Sequence, residues 1–370
     1  METKYHIRMI GKENLEKTNR IKTISLFTGG GGLDLGLSAV GFDIQLVIEL
    51  DPFSCKTIEI NEGKRPFLEK CEIINKDITQ VSVDEVERRL NSKQDEIEAL
   101  IGGPPCQAFS VFGKRRGLSD ARGNLVWEYL RILKAFEPKL FIFENVAGLK
   151  TIHNGDLFKR LLEELSCNGL YTVTTNDFEI ADYGIPQFRK RVIFIGVKNG
   201  KLIPPMKKTH GEHGDKPYIT AGKALRGMPE PSENHNLTNH IGRKHSQRII
   251  DRYSKLAFGE RDHHTRINKI NPDRPSFTII VGSDKGGGKG HIHPYTPREV
   301  TPRESARIQT FPDWWEFYGR GRHVIRQVGN AVPPLFAALL GQHILKHAFG
   351  RRMEMTYEDI VSELDLQYLR

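Results

Sequence analysis

Between residues 22 and 200 the chain alternates short apolar runs with amphipathic stretches, the rhythm of βαβ units built around a parallel sheet. Runs at 23–27, 44–48, 97–101, 140–143, 171–177 and 191–197 predict strands. Between them, residues 33–40, 52–60, 83–90, 125–136 and 156–166 repeat apolar positions at helical spacing. A doubly wound α/β sheet follows. After Val197 the texture turns to His, Lys, Gly and Pro with weak periodicity as far as about Pro297, which predicts a second, smaller, loop-rich domain. Helical patterning returns from Pro302, and residues 333–347 are apolar enough to pack on the first domain. The chain therefore leaves the large domain and comes back to it. The tail 351–370 offers one amphipathic helix.

Composition narrows the class. A chain of 370 residues with 38% hydrophobic residues suits one large α/β domain carrying a smaller one and excludes general disorder. No run approaches the roughly 18 apolar residues of a membrane span, and the polar start lacks the apolar centre of a secretory signal. A soluble, cytoplasmic protein is expected. Four cysteines (Cys55, Cys71, Cys106, Cys167) with no CxxC spacing fit a reduced compartment and leave any one of them available as a nucleophile. The net charge is +9, and residues 201–300 carry +8 of it together with nine of the 14 histidines. Such a segment suits phosphate contacts, although a modest surplus is also what a solvated face shows.

The candidate chemistry lies at strand ends. Ser25-Leu26-Phe27-Thr28-Gly29-Gly30-Gly31-Gly32-Leu33 puts glycines directly between a strand and a helix, where they permit a tight turn and close approach of a ligand to the backbone. Glu49, at the end of the next strand, is placed to accept from ribose hydroxyls, and Asp77, followed by Ile78, from an adenine amino group. Together they indicate an adenosine-containing cofactor. The dinucleotide spacing GxGxxG is absent because Gly36 falls too late, which counts against NAD. The second cluster, Gly286-Gly287-Gly288-Lys289-Gly290, has Gly290 where a phosphate loop needs Ser or Thr, so an ATPase is not expected. His263, His264, His291 and His293 have no accompanying cysteine and no spacing of a common metal site, so no metal is expected.

Gly102-Gly103-Pro104-Pro105-Cys106-Gln107 follows another strand, and its two prolines fix the backbone ahead of the thiol. Cys106 thus stands where ligands bind, whereas the other cysteines read as small buried hydrophobes. The strand at 140–143 runs into Glu144-Asn145-Val146 at the same edge. If Gln187-Phe188-Arg189-Lys190-Arg191 is extended, Gln187, Arg189 and Arg191 share one face. Three long polar donors beside a thiol suit a planar polar substrate, and a salt-bridged edge strand has the same pattern.

Taken in order, Phe27 to Gly32, Pro104-Pro105-Cys106-Gln107, Glu144-Asn145-Val146, Gln187 to Arg191 and Gln327-Val328-Gly329-Asn330-Ala331-Val332-Pro333-Pro334 resemble the DNA (cytosine-5)-methyltransferase family of bacterial restriction-modification systems. Arg122-Gly123-Asn124-Leu125 and the run Arg303 to Pro312 are similar too. The resemblance spans nearly all of 22–347 except the middle of the basic segment. It implies a Rossmann-like, mostly parallel methyltransferase sheet formed by 20–198 and 326–350, a target-recognition domain at 199–300, a hinge at 301–325 and a tail at 351–370. It implies S-adenosyl-L-methionine as cofactor, held by Phe27, Thr28, Gly29, Gly31, Gly32, Glu49, Leu50, Asp77, Ile78, Pro105, Leu125, Asn330 and Val332. The four consecutive glycines are richer than the family's usual FxGxG turn.

For the reaction, the resemblance implies that the Cys106 thiolate adds to carbon 6 of cytosine, that a protonated Glu144 serves ring nitrogen 3, that Arg189 holds the carbonyl oxygen at position 2, and that Arg191 supports the loop and a phosphate. Carbon 5 then takes the methyl group. The partner implied is double-stranded DNA with the target base rotated out of the stack, and a cognate restriction endonuclease encoded nearby is expected. A transfer-RNA methyltransferase of the related branch and a catalytically silent nucleic-acid-binding relative are the alternatives. The size and charge of 199–300 favour DNA, and the intact set Cys106, Glu144 and Arg189 argues against silence.

Overall fold

The computed structural model describes residues 20–64, 71–90, 96–105, 125–233, 236–279, 281, 290–351 and 355–370. Its centre is a seven-stranded sheet in the order β3-β2-β1-β4-β5-β7-β6. The strands are β1 Ile21–Leu26, β2 Phe42–Glu49, β3 Glu72–Asn75, β4 Ala99–Gly102, β5 Leu140–Val146, β6 Tyr171–Glu179 and β7 Lys190–Lys198. All pairs from β3 through β5 are parallel, and β7 runs antiparallel between β5 and β6. All six strands expected from the sequence are present. The short edge strand β3 is an addition.

Alternation along the strands gives the sheet two apolar faces. One packs under α1 (Gly32–Ser38) and α10 (Pro334–Ala348), with Leu35, Leu37, Leu335, Phe336, Leu340 and Ile344 fully buried. On the other lie α4 (Leu125–Phe136) and α5 (Asp156–Leu165), whose Tyr129, Leu133, Leu157 and Leu161 meet Phe141, Phe143 and Phe194. The remaining helices here are α2 (Pro52–Asn61) and α3 (Val83–Arg89). Gly36 lets α1 approach α10: a Cβ there would lie 2.2 Å from the Pro334 carbonyl oxygen and 2.5 Å from the Ala337 Cβ. The glycine that falls too late for a dinucleotide turn is therefore a helix-packing residue. The stretch Gly321–Ala348 is long and apolar enough by composition to cross a membrane, but 78% of its apolar window is buried in the protein.

The segment beyond Lys198 has little regular structure: α6 (Ala221–Leu225), α7 (Gln247–Lys255) and isolated bridges such as Arg261 with Asn268. A small separate core of Tyr253, Ile267 and Ile292 supports it. Helix α8 (Pro302–Ile308) opens with a capping box between Thr301 and Glu304, and the indole of Trp315 is buried against Phe311. Helix α9 (Gly321–Asn330) then leads into α10. In the tail, α11 (Tyr357–Glu363) buries Ile360 and Val361 in the large core. Tyr357 donates to the Gly184 carbonyl at 2.9 Å, and Tyr368 to that of Phe311 at 2.8 Å.

Candidate active site

The glycine turn forms because β1 must reverse sharply into α1. Phe27 (φ 57°), Gly29 (57°) and Gly31 (77°) all adopt left-handed backbone there, a conformation that costs a residue with a Cβ about 1–2 kcal/mol. Gly31 is required for a second reason, and Gly32 for that reason alone. A Cβ on Gly31 would meet Ile58 at 2.6 Å, and one on Gly32 the Val332 carbonyl oxygen at 2.2 Å. The returning C-terminal segment is thus pressed onto the turn. Around Gly29 the described residues leave open space, the nearest neighbour for a Cβ among them being the Phe27 carbonyl at 3.9 Å.

Glu49 closes one side of this opening. Its two carboxylate oxygens accept from the Gly29 and Asp51 amides at 2.9 and 2.7 Å. Burial raises its pKa, and those two hydrogen bonds only partly offset the effect. Leu50 next to it is 64% exposed, a large apolar side chain left uncovered at the sheet's carboxyl edge. Asp77 caps a short turn through one oxygen, accepting from Thr79 N and Oγ1 at 3.0 and 2.8 Å, while Ile78 is buried. Asn330 is exposed at the end of α9, one residue before the turn that carries Val332. Thr28 is buried with its hydroxyl 2.9 Å from that of Ser25. These groups fit an adenosyl sulfonium amino acid: a carboxylate for ribose hydroxyls, an apolar residue to lie against adenine, a second acidic residue for its amine, and backbone free for close approach.

A second cluster stands further along the same edge. Asn145 donates to the Pro104 carbonyl at 2.9 Å, fixing the start of the cysteine loop against β5. The Glu144 side chain lies on the Gly103 backbone, where a Cβ would be 2.7 Å from Oε2. Arg191 Nε pairs with Glu144 Oε1 at 2.7 Å, and both side chains are largely buried. Pro105 is exposed at the end of the described loop; Cys106, Gln107 and the run Arg122-Gly123-Asn124 lie outside the described residues, as does the glycine cluster at 286–289. Leu125 begins α4, partly buried.

The two arginines part company. Arg189 is 1% exposed and turned inward, its Nη2 donating to the Gly329 and Ala331 carbonyls at 2.9 and 3.0 Å. Nε and Nη1 have no hydrogen-bond partner among the described residues. Burial, with Arg191 nearby, depresses its pKa well below the usual arginine range. Gln187 is buried too, hydrogen-bonded to Gln309 and accepting from Ile279 N at 3.1 Å. Gln187 and Arg189 thus hydrogen-bond the returning segment and Arg191 pairs with Glu144, while Arg189 lies near enough to feel the charges of both Arg191 and Glu144.

Sequence reasoning missed Gln309, whose amide donates to the Val328 and Ala331 carbonyls at 2.9 Å each, and Gln327, which accepts from Thr57 at 2.6 Å. Both are buried amides inside the motifs already noted. Their burial was the available signal, since an amide amid apolar residues must find partners.

The sequence matches the model of the C-5 cytosine-specific DNA methylases over residues 21–346. It is 34% identical over 367 residues to the Type II methyltransferase M.NgoFVII of Neisseria gonorrhoeae, covering 95% of this chain and 94% of that one. To the Type II methyltransferase M.XorII of Xanthomonas oryzae it is 32% identical over 365 residues, covering 87% and 84%. Among solved structures, a protein described as a DNA modification methyltransferase encoded within an Escherichia coli prophage superposes with a TM-score of 0.71 at 26% identity, over 88% of this chain and 99% of that one. The Dnmt2 methyltransferase of Schizosaccharomyces pombe shares the fold, with a TM-score of 0.64 at 18% identity over 88% and 99%.

Proposed function

The chain belongs to the C-5 cytosine-specific DNA methylases, and from that premise we propose that Cys106, Glu144 and Arg191 carry methyl transfer to a cytosine extruded from a short double-stranded target. The family uses S-adenosylmethionine, whose sulfonium supplies the electrophilic methyl group. Phe27, Thr28, Gly29, Gly31, Gly32, Glu49, Leu50, Asp77, Ile78, Pro105, Leu125, Asn330 and Val332 would hold it. The basic segment 199–300 would grip the duplex, offsetting the few kcal/mol that extrusion costs.

The observation that carries the reading is the Glu144–Arg191 pair at 2.7 Å beside the backbone that leads into Pro104-Pro105-Cys106. Ring nitrogen 3 and the carbonyl oxygen of cytosine are both bonded to carbon 2, and a carboxyl and a guanidinium already in contact can take one each. We therefore give the oxygen to Arg191 instead of Arg189. Arg189, committed to the Gly329 and Ala331 carbonyls, positions the segment that bears Asn330 and Val332.

The Cys106 thiolate forms a bond to carbon 6, and the displaced electron pair is drawn toward nitrogen 3, where Glu144 supplies a proton and Arg191 stabilises the oxygen. Carbon 5, now electron-rich, bonds to the methyl carbon as the methyl–sulfur bond breaks. Loss of the carbon 5 proton to water then returns an electron pair to the ring and expels the thiolate, and nitrogen 3 gives its proton back to Glu144.

Bisulfite sequencing of plasmid DNA treated with the protein tests this. Wild type should mark cytosines within one short sequence, and Cys106→Ala should mark none while retaining DNA binding. Normal turnover by Cys106→Ala would end the covalent reading. Arg191→Ala should lose at least about 100-fold in kcat, as removal of an oxyanion donor does; Arg189→Ala should mainly raise the KM for the cofactor.

A further inference from the structure

One buried charge beside the glycine turn does nothing for the fold. Asp34, in the first turn of α1, is 2% exposed, and no hydrogen bond of ordinary length reaches either of its carboxylate oxygens among the described residues. Buried polar groups are nearly always satisfied, and an unpaired carboxylate in the interior is unfavourable. Its polar surroundings lead toward the turn. The Ser25 hydroxyl lies beside the carboxyl and favours its charged form, and that hydroxyl is 2.9 Å from the hydroxyl of Thr28, in the turn itself.

The other groups facing Asp34 supply no compensating charge. Glu49, at the end of β2, accepts from the Gly29 amide at 2.9 Å and is near enough to disfavour the Asp34 carboxylate further. Cys71, ahead of β3, is pushed up by burial first and then by Glu62 and Asp34, so its thiol stays neutral. Helix α10 meets α1 at Gly36 through Pro334, Ala337 and Ala338, none of them charged. Two carboxyls therefore flank the turn with no ion pair among the described residues. The ligand that the turn fits brings the missing charge. S-adenosylmethionine is a sulfonium cation, whereas the S-adenosylhomocysteine left after transfer is a neutral sulfide, and the two are otherwise alike.

Resting on the methyltransferase reading above, we infer that the Asp34 carboxylate is a specificity-determining group that favours the sulfonium cofactor over the sulfide product, so that loss of the methyl group loosens the nucleoside. It acts through its field and needs no direct contact. A unit charge about 10 Å away, at an effective dielectric constant of about 20, changes a binding constant roughly tenfold. The ammonium and carboxylate of the amino-acid end are common to both nucleosides, so they cancel in the ratio of the two affinities.

Calorimetric titration of the full-length protein with S-adenosylmethionine and with S-adenosylhomocysteine tests this, for wild type and Asp34→Asn at pH 8 and pH 5. The variant loses a buried charge, so its thermal midpoint at pH 8 should equal or exceed that of wild type. Its preference for the sulfonium should fall roughly tenfold at pH 8, through weaker binding of S-adenosylmethionine. Burial brings the Asp34 carboxyl up to about 6, so the wild-type preference should fall between pH 8 and pH 5, and more than that of the variant, which keeps Glu49. Near pH 6 the sulfonium should also release a fraction of a proton from wild type that it does not release from Asp34→Asn. Equal preferences in the two proteins at pH 8 overturn the inference, and so does the same fall with pH in both, which assigns the effect to Glu49. Should Asp34→Asn not fold, a wild-type preference constant from pH 8 to pH 5 overturns it alone. A wild-type protein that binds neither nucleoside removes the parent reading and this one with it.

Discussion

Asp34 shows at the scale of one residue what burying a carboxyl costs. It sits in the first turn of α1, 2% exposed, with no hydrogen bond of ordinary length to either oxygen among the described residues. Burial pushes its carboxyl up to about 6, against a partial lowering by the neighbouring Ser25 hydroxyl. A carboxyl raised in the folded state is neutral in both states below the unfolded value near 4, so no penalty exists there. The penalty builds as pH rises from about 4 to about 6 and then stays constant. Asp34→Asn should therefore stabilise the protein at pH 8 by roughly 3 kcal/mol at most, and leave stability at pH 4 unchanged. Urea unfolding at the two pH values checks this; equal effects at both would show that the charge is not what matters. Residue identity in the sequence was enough to select Glu144 and the run Gln187 to Arg191, because their types and spacing are distinctive. It could not divide the work between Arg189 and Arg191. That division depends on Gly329 and Ala331 at the end of α9 and on Glu144 in β5, two other parts of the chain.

Among elements, the contact of α1 with α10 decides whether the returning segment closes on the glycine turn, the proposed cofactor site. Gly36 has no room for a methyl group, since the nearest atoms would be the Pro334 carbonyl, the Ala337 Cβ and the Ala338 amide at 2.2, 2.5 and 2.9 Å. Two of these are backbone atoms, so the helices must separate to admit a side chain. Gly36→Ala should destabilise by about 3 kcal/mol and, because α10 carries Val332 with it, weaken cofactor binding as well. Denaturant unfolding with an unchanged m-value, combined with calorimetric titration of cofactor, measures both effects; a variant with wild-type stability would show that the helices tolerate the separation. Most elements were legible in the sequence because long amphipathic helices and buried parallel strands repeat their periods clearly. β3 was not. It has four residues, only one of them buried, and stands at the sheet edge, so neither period 2 nor a continuous apolar run marks it. The extension of β5 to Val146 was also hidden, since it depends on antiparallel pairing with β7, Glu144 opposite Ile193 and Val146 opposite Arg191.

The whole molecule is arranged around one edge of the sheet. The glycine turn, Glu49, Asp77, the Pro104-Pro105 loop and Glu144 all leave the carboxyl ends of parallel strands, which is where open α/β sheets bind ligands. The chain departs for the basic segment and returns through α9 and α10 because the turn needs Val332 pressed on Gly32. Departure and return were legible as a change of texture; the stitching was not. Gln187 and Arg189 reach Gln309 and Gly329 through hydrogen bonds that span more than one hundred residues, and Gln309 carries the link on to Ala331 after α9. The tail adds Tyr357 and Tyr368 to the same junction. The central claim, that this edge presents the Cys106 thiol to an extruded cytosine, is tested most directly by incubating the protein and S-adenosylmethionine with a duplex in which 5-fluorocytosine replaces the target cytosine. Fluorine cannot leave as a proton does, so mass spectrometry should find a methylated nucleotide bonded to the peptide containing Cys106. An enzyme that methylates ordinary DNA yet forms no such adduct, or forms it on another residue, would contradict the account.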